Sequence, residues 1–186
     1  MKNIFKLMGV ALMACSLMVA CGKDEPEPTP EEQIADGMNV TFGEDSWAAG
    51  DLQCGYYESY GAILFAGSKV ENSMPMFNSI VYATTTGTYT ATAGADGFLP
   101  DDADIYVCEY YQRTGLTDGT NNYGDWWAAE VTLNIKAVDL TALTVTAVFE
   151  GTMLDAAAAY LEEYGQTGIP NAPRCAFKAT FGNVSL

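Results

Sequence analysis

The sequence contains no histidine. That absence excludes imidazole zinc sites, Ser-His-Asp and Cys-His nucleophile pairs, and the usual general base at neutral pH. Basic residues are scarce too: eight Lys and Arg stand against 24 Asp and Glu, a formal charge of −16. A surface this acidic repels phosphate backbones and anionic headgroups, so nucleic-acid binding and electrostatic membrane docking are disfavoured. No Gly-x-Gly-x-x-Gly fingerprint, P-loop or Gly-x-Ser-x-Gly elbow occurs. An enzyme built on this chain would have to run on carboxylates, tyrosines or thiols. Among so many acids a pair such as Asp104 and Glu109 is easily found and marks nothing. The expectation is a protein that is not an enzyme and needs no cofactor.

What is present begins at the N-terminus. Lys2 and Lys6 precede an apolar stretch, Leu7 to Ala20, which is shorter than the roughly 20 residues of a membrane span and has the build of a secretory signal. The run "MVAC", Met18 to Cys21, resembles the lipobox of bacterial lipoproteins, which implies a lipidated Cys21 as the first mature residue. Cys15 is a rival, but cleavage there leaves only Leu7 to Ala14 as the apolar region. Lys23, Asp24 and Glu25 resemble the export signal of Bacteroidota-type surface lipoproteins. The resemblance implies an outer-membrane location, surface exposure and a membrane anchor of lipid, each buried methylene contributing about 0.8 kcal/mol. Residues 1–20 are thus read as signal peptide. Residues 21–36 are the lipidated cysteine plus an acidic spacer, with Pro26, Pro28 and Pro30 among Glu25, Glu27, Glu31 and Glu32, a composition that stays extended. Residues 37–186 form one domain, and the mature chain carries six basic residues against 24 acids, a charge of −18.

In that domain, alternating and β-branched runs bounded by Gly, Asn and Asp clusters predict an all-β fold. Strands are expected near Asn39–Phe42, Leu52–Glu58, Ala62–Ala66, Met76–Tyr82, Thr88–Thr92, Ile105–Gln112, Trp126–Ala137, Leu143–Met153 and Cys175–Val184. The expected architecture is an antiparallel β-sandwich of about eight or nine strands, with a lipocalin-like or calycin-like β-barrel as the alternative. Ala62–Ala66, apolar on both faces, is expected in a covered central strand. In "GTYTATAG", Thr88, Thr90 and Thr92 should face water. In the hairpin "EVTLNIKAVDLTALTVTAVFEG", one shared core face requires pairs such as Ile135 with Val145, a three-residue loop of Asp139 to Thr141, and Glu130 opposite Glu150, where like charges would fray the ladder. One short helix is expected from Asp155 to Gly165, its face formed by Ala157, Tyr160 and Tyr164.

The lipobox and spacer, "VTFGEDSW", the "GTY" strand, the long hairpin and the closing "CAFKATFGNVSL" together resemble small all-β domains of uncharacterised Bacteroidota surface lipoproteins. That resemblance implies a sandwich and carries no site residues.

Candidate sites come from the residues themselves. Tyr123, Asp125, Trp126 and Trp127 follow a Gly- and Asn-rich loop and combine stacking rings with a carboxylate, which is glycan-binding chemistry. Adjacent tryptophans point to opposite faces of a strand, so one of the two is expected to be exposed. The other aromatic cluster is Tyr56, Tyr57 and Tyr60. Asp118, Thr120, Asn122 and Asp125 could ligate calcium, as could Asp96, Asp101, Asp102 and Asp104, although turn chemistry accounts for both sets. Cys54, Cys108 and Cys175 permit one disulfide in any of three pairings, but their apolar settings favour small buried hydrophobes. The expected protein is a binding or accessory domain, its partner a glycan or a surface protein.

Replacing Cys21 with Ala should release the protein from membranes. Mass spectrometry of the mature protein should find diacylglycerol on Cys21, and an unmodified Cys21 in the membrane fraction would overturn the lipoprotein reading.

Overall fold

A computed structural model describes residues 33–71, 74–113, 123–156 and 171–186. The signal, Cys21, the spacer up to Glu32 and the expected helix beyond Ala156, with Tyr160 and Tyr164, lie outside the described residues.

The class is all-β, as expected. The strands are β1 (Gly37–Phe42), β2 (Asp45–Ala48), β3 (Asp51–Leu52), β4 (Gly55–Tyr57), β5 (Ala62–Ser68), β6 (Met76–Val81), β7 (Gly87–Thr92), β8 (Ile105–Arg113), β9 (Tyr123–Asp139), β10 (Thr144–Asp155) and β11 (Arg174–Ser185). All pairings are antiparallel, and they form a single sheet of order β2-β1-β11-β10-β9-β8-β6-β5-β3, with β4 on β5 and β7 on β9. β2 and β3 stand at opposite ends of that order, yet only Ala49 and Gly50 separate them in the chain. Ala49 N–H donates to Met38 O at 2.9 Å, and Gly50 N–H donates to Ser68 O at 3.0 Å. Two adjacent residues thus bond to the two ends of the sheet, and the sheet rolls onto itself.

The roll brings opposite walls into sandwich-like contact. Phe65 of β5 meets Phe149 of β10 and Phe181 of β11, with ring centroids 5.0 Å apart in each case, and Phe77 of β6 meets the same two rings at 5.4 and 5.9 Å. All four rings are buried. Burying each contributes about 1.5–3 kcal/mol, and the edge-to-face geometry adds to that.

The long hairpin corrects the expected register. β9 and β10 are joined by four residues, Leu140 to Leu143, not three. The Asp139 carboxylate accepts the N–H groups of Thr141 and Ala142, both at 2.8 Å, and Leu143 takes a left-handed φ of 54°. An even-numbered loop alone would turn one strand's core residues outward. A bulge at Lys136 restores the parity, so that Val145 faces Val138 while Ala147 faces Ile135 and Phe149 faces Leu133. Glu130 therefore lies opposite Thr152, and Glu150 sits between Thr132 and Lys178. The like-charge pair never forms, and the ladder continues to Asp155 opposite Trp126.

Other expectations fared differently. Thr88, Thr90 and Thr92 are exposed while Ala91 is buried, as read. β2 was not foreseen, because "DSWA" shows little alternation, and the Leu52–Glu58 run divides into β3 and β4. In β5, Ile63 and Phe65 are buried, but the opposite face is only partly covered, since Leu64 is half-buried.

A second bulge in β9, at Ala129, lies across from the Thr152–Met153 step, next to the Gly151–Val131 pair. A β-carbon on Gly151 would overlap the Glu130 carbonyl oxygen and crowd Val131. Gly151→Ala should therefore cost about 1–3 kcal/mol in denaturant unfolding, as overpacking does, while Gly55→Ala, whose added carbon meets only Tyr57 at 3.8 Å, should stay within about 0.5 kcal/mol. Equal stabilities would refute the close approach.

Candidate functional site

The described residues place the two tryptophans on opposite faces of β9. Trp126 turns toward the core, its ring edge-on to Phe42 at 5.1 Å, and Trp127 turns outward against Phe98 at 4.7 Å. Both are half-buried. The expectation that one of them stands exposed is corrected. The reason is the β7–β8 connection, which lays Phe98 over the outward ring. Tyr123 and Asp125 enter β9 opposite Arg113 and Tyr111, and their side chains lie outside what is described. So do Asp118, Thr120 and Asn122, and with them the first calcium loop. In the second acidic loop the Asp96 carboxylate accepts the Phe98 N–H at 3.1 Å, a local turn bond. Among the described residues no three potential metal ligands group together.

A different aromatic group faces outward at one end of β5, β6 and β8. A groove with a cavity volume of about 280 Å³ is lined by Tyr57, Tyr60, Tyr82 and Tyr106 around a floor of Ala62, Leu64 and Ile80. Tyr60 is 76% exposed, Tyr57 51%, Tyr82 43% and Tyr106 42%. Strand geometry builds this surface. Ile63, Phe65 and Val81 point inward, so Leu64 and Ile80, paired across the ladder, must point outward. Tyr106 is the extra residue of a bulge, since Ile80 faces Val107 while Val81 faces Ile105. The bulge sets its ring beside Tyr82, with centroids 5.9 Å apart. Tyr57 and Tyr60 come from the β4–β5 turn, where the N–H of Tyr60 bonds to Tyr57 O at 3.0 Å and Gly61 takes a φ of 60°.

Sequence reasoning noted Tyr57 and Tyr60 as a cluster and missed Tyr82 and Tyr106. A signal was there: "SIVY" and "DIYV" each put an aromatic ring next to a core-facing apolar residue, Val81 and Ile105.

At the opposite end of the same strands the core closes with a second aromatic set. Phe42 stacks on Tyr110 with centroids 4.1 Å apart, and Trp47 donates its Nε1–H to the Tyr110 hydroxyl at 3.2 Å. Burial raises the pKa of Tyr110, the Trp47 hydrogen bond opposes that, and the negative charge of Asp45 adds to it, so the phenol stays protonated at neutral pH.

Among the described residues Cys54, Cys108 and Cys175 are free thiols. Cys54 donates to Ala66 O at 3.7 Å, and Cys108 is fully buried in the core. Desolvation pushes all three thiols up, Cys108 far out of the physiological range, which removes the thiolate a nucleophile needs. The Glu109 carboxylate is engaged by the Tyr111 hydroxyl.

No family model matches the chain, and neither does any curated protein or solved structure.

With the thiol pKa values raised in the folded state, alkylation at neutral pH should be slower than for a free thiol, and Cys108 should react only after unfolding. Mass mapping after a timed iodoacetamide pulse checks this. Native modification of Cys108 would contradict its burial.

Proposed function

We propose that this chain is a lipid-anchored, non-catalytic binding domain displayed at the cell surface, and that its tyrosine groove is the binding platform. The observation that carries the reading is the outward set of four tyrosines around an apolar floor. Contiguous exposed apolar surface on a soluble domain marks an interaction site. Tyrosine suits the task because its ring offers a flat apolar face at low entropic cost and its hydroxyl bonds the ligand's edge. The acidic charge disfavours anionic ligands. A neutral glycan strand meets these conditions: its C–H faces stack on rings and its hydroxyls meet the phenols at the rim. The lipid anchor rests on the lipobox resemblance around Cys21.

One feature favours a second reading. The lining contains neither carboxylate nor amide, and aromatic grooves of that kind also receive proline-rich segments of proteins. A surface-protein partner is then the ligand, and the domain is an interaction module.

A neutral-glycan array and a proline-rich peptide array, probed with the soluble domain, separate the two. Tyr60→Ala and Tyr106→Ala should each weaken binding about tenfold, near 1.4 kcal/mol, with unfolding stability changed by less than about 1 kcal/mol. Trp126→Ala should instead cost about 3 kcal/mol of stability, being packed on the core. Binding that survives both tyrosine substitutions would remove the groove from the function.

A further inference from the structure

The end of the roll opposite the tyrosine groove holds a polar cup. Its cavity volume is about 280 Å³, and its lining comes from three places: Asp45, Ser46 and Trp47 of β2, the turn between β5 and β6 through Lys69, Met74 and Pro75, and Tyr110 and Gln112 of β8. The rim is anchored. Ser68 Oγ donates to Val70 O at 2.8 Å, and Lys69 N–H donates to Pro75 O at 3.1 Å. The floor is apolar and rigid, because Trp47 and Tyr110 are both buried and Tyr110 is stacked on Phe42.

The chemistry of the cup differs from that of the groove. The Tyr110 hydroxyl lone pair receives the Trp47 Nε1–H at 3.2 Å, and the hydroxyl lines the cup. A phenol on the floor of a cavity is a recognition element, because its O–H can donate to a ligand while its oxygen accepts. Gln112 adds an amide with both donor and acceptor capacity. Asp45 supplies an acceptor and Lys69 a donor, so the cup carries one charge of each sign in a strongly acidic protein. With one charge of each sign the cup has no net preference for a lone anion or cation, and its mix of donors and acceptors suits a neutral ligand that both gives and accepts hydrogen bonds. The volume sits at the small end of ligand sites, which span about 300–1,000 Å³.

We propose that the cup is a second ligand site, independent of the groove, that takes a neutral polyhydroxylated molecule of monosaccharide size. The ligand's C–H face lies on Trp47, its ring or hydroxyl oxygens accept from Tyr110 and Lys69, and its hydroxyls donate to Asp45 and Gln112.

The test is a titration of the protein with a panel of neutral monosaccharides, followed through the Trp47 indole N–H resonance. At least one sugar should shift that signal saturably. Asp45→Asn, which keeps an acceptor but removes its charge, and Gln112→Ala, which removes a hydrogen bond, both at partly or fully exposed positions, should each weaken the response about tenfold, and Tyr110→Phe should do the same without deleting the stacked ring. Tyr60→Ala, which disables the groove, should leave it unchanged. An unshifted Trp47 signal across the panel overturns the proposal. So does a response that persists in both Asp45→Asn and Gln112→Ala with the native indole spectrum intact, or one that Tyr60→Ala abolishes.

Discussion

Two neighbouring peptide groups, those of Ala49 and Gly50, hold the architecture together. One donates to β1 and the other toward β5, so a single short segment belongs to both ends of the sheet. Gly50 is suited to that crossing because a β-carbon there would come within 2.7 Å of the Lys69 carbonyl oxygen, a collision with backbone that no rotamer change relieves. The closure forces β5 and β6 against β10 and β11, which is why Phe65, Phe77, Phe149 and Phe181 form one cluster and not two separate ones.

Within the closed sheet, bulges decide which side chains face the core. The bulge at Lys136 reconciles a four-residue turn with a continuous apolar face, the one at Ala129 turns Trp126 inward and Trp127 outward, and the one at Tyr106 sets a ring on the outer wall. A fourth irregularity, where Asn183 takes a φ of 46° and its N–H bonds to Thr146 Oγ1 at 3.0 Å, lies between β10 and β11. Each inserts one residue and reverses the inside–outside assignment beyond it. Surface chemistry in this protein is thus a product of ladder defects as much as of composition.

That explains what could be read from the sequence. The all-β class, most strand positions and the wet face of β7 follow from period-two patterning, which is local. The register of the long hairpin did not follow, because parity was met by a bulge at Lys136 that leaves no mark in the hydrophobic pattern. The tryptophans drew attention because they are adjacent in sequence, but Phe98, about thirty residues away, covers one of them. The groove unites Tyr57, Tyr60, Tyr82 and Tyr106 from three separate segments, and only the pairings of β5 with β6 and β6 with β8 bring them together. Likewise the cup needs Trp47 of β2, a strand whose polar sequence gave little sign of pairing.

The placement of β1 carries a mechanical meaning. It is paired along its whole length with β11, from Gly37–Gly182 to Phe42–Phe177, and over its last four residues with β2, from Asn39–Ala48 to Phe42–Asp45. Tension applied along this strand from Gly37 would load both rows of hydrogen bonds in shear, all together, where a peeling geometry would break them one after another. With no crosslink among the described cysteines, that shear-loaded strand is what would keep the roll closed if the domain were dragged by its N-terminus.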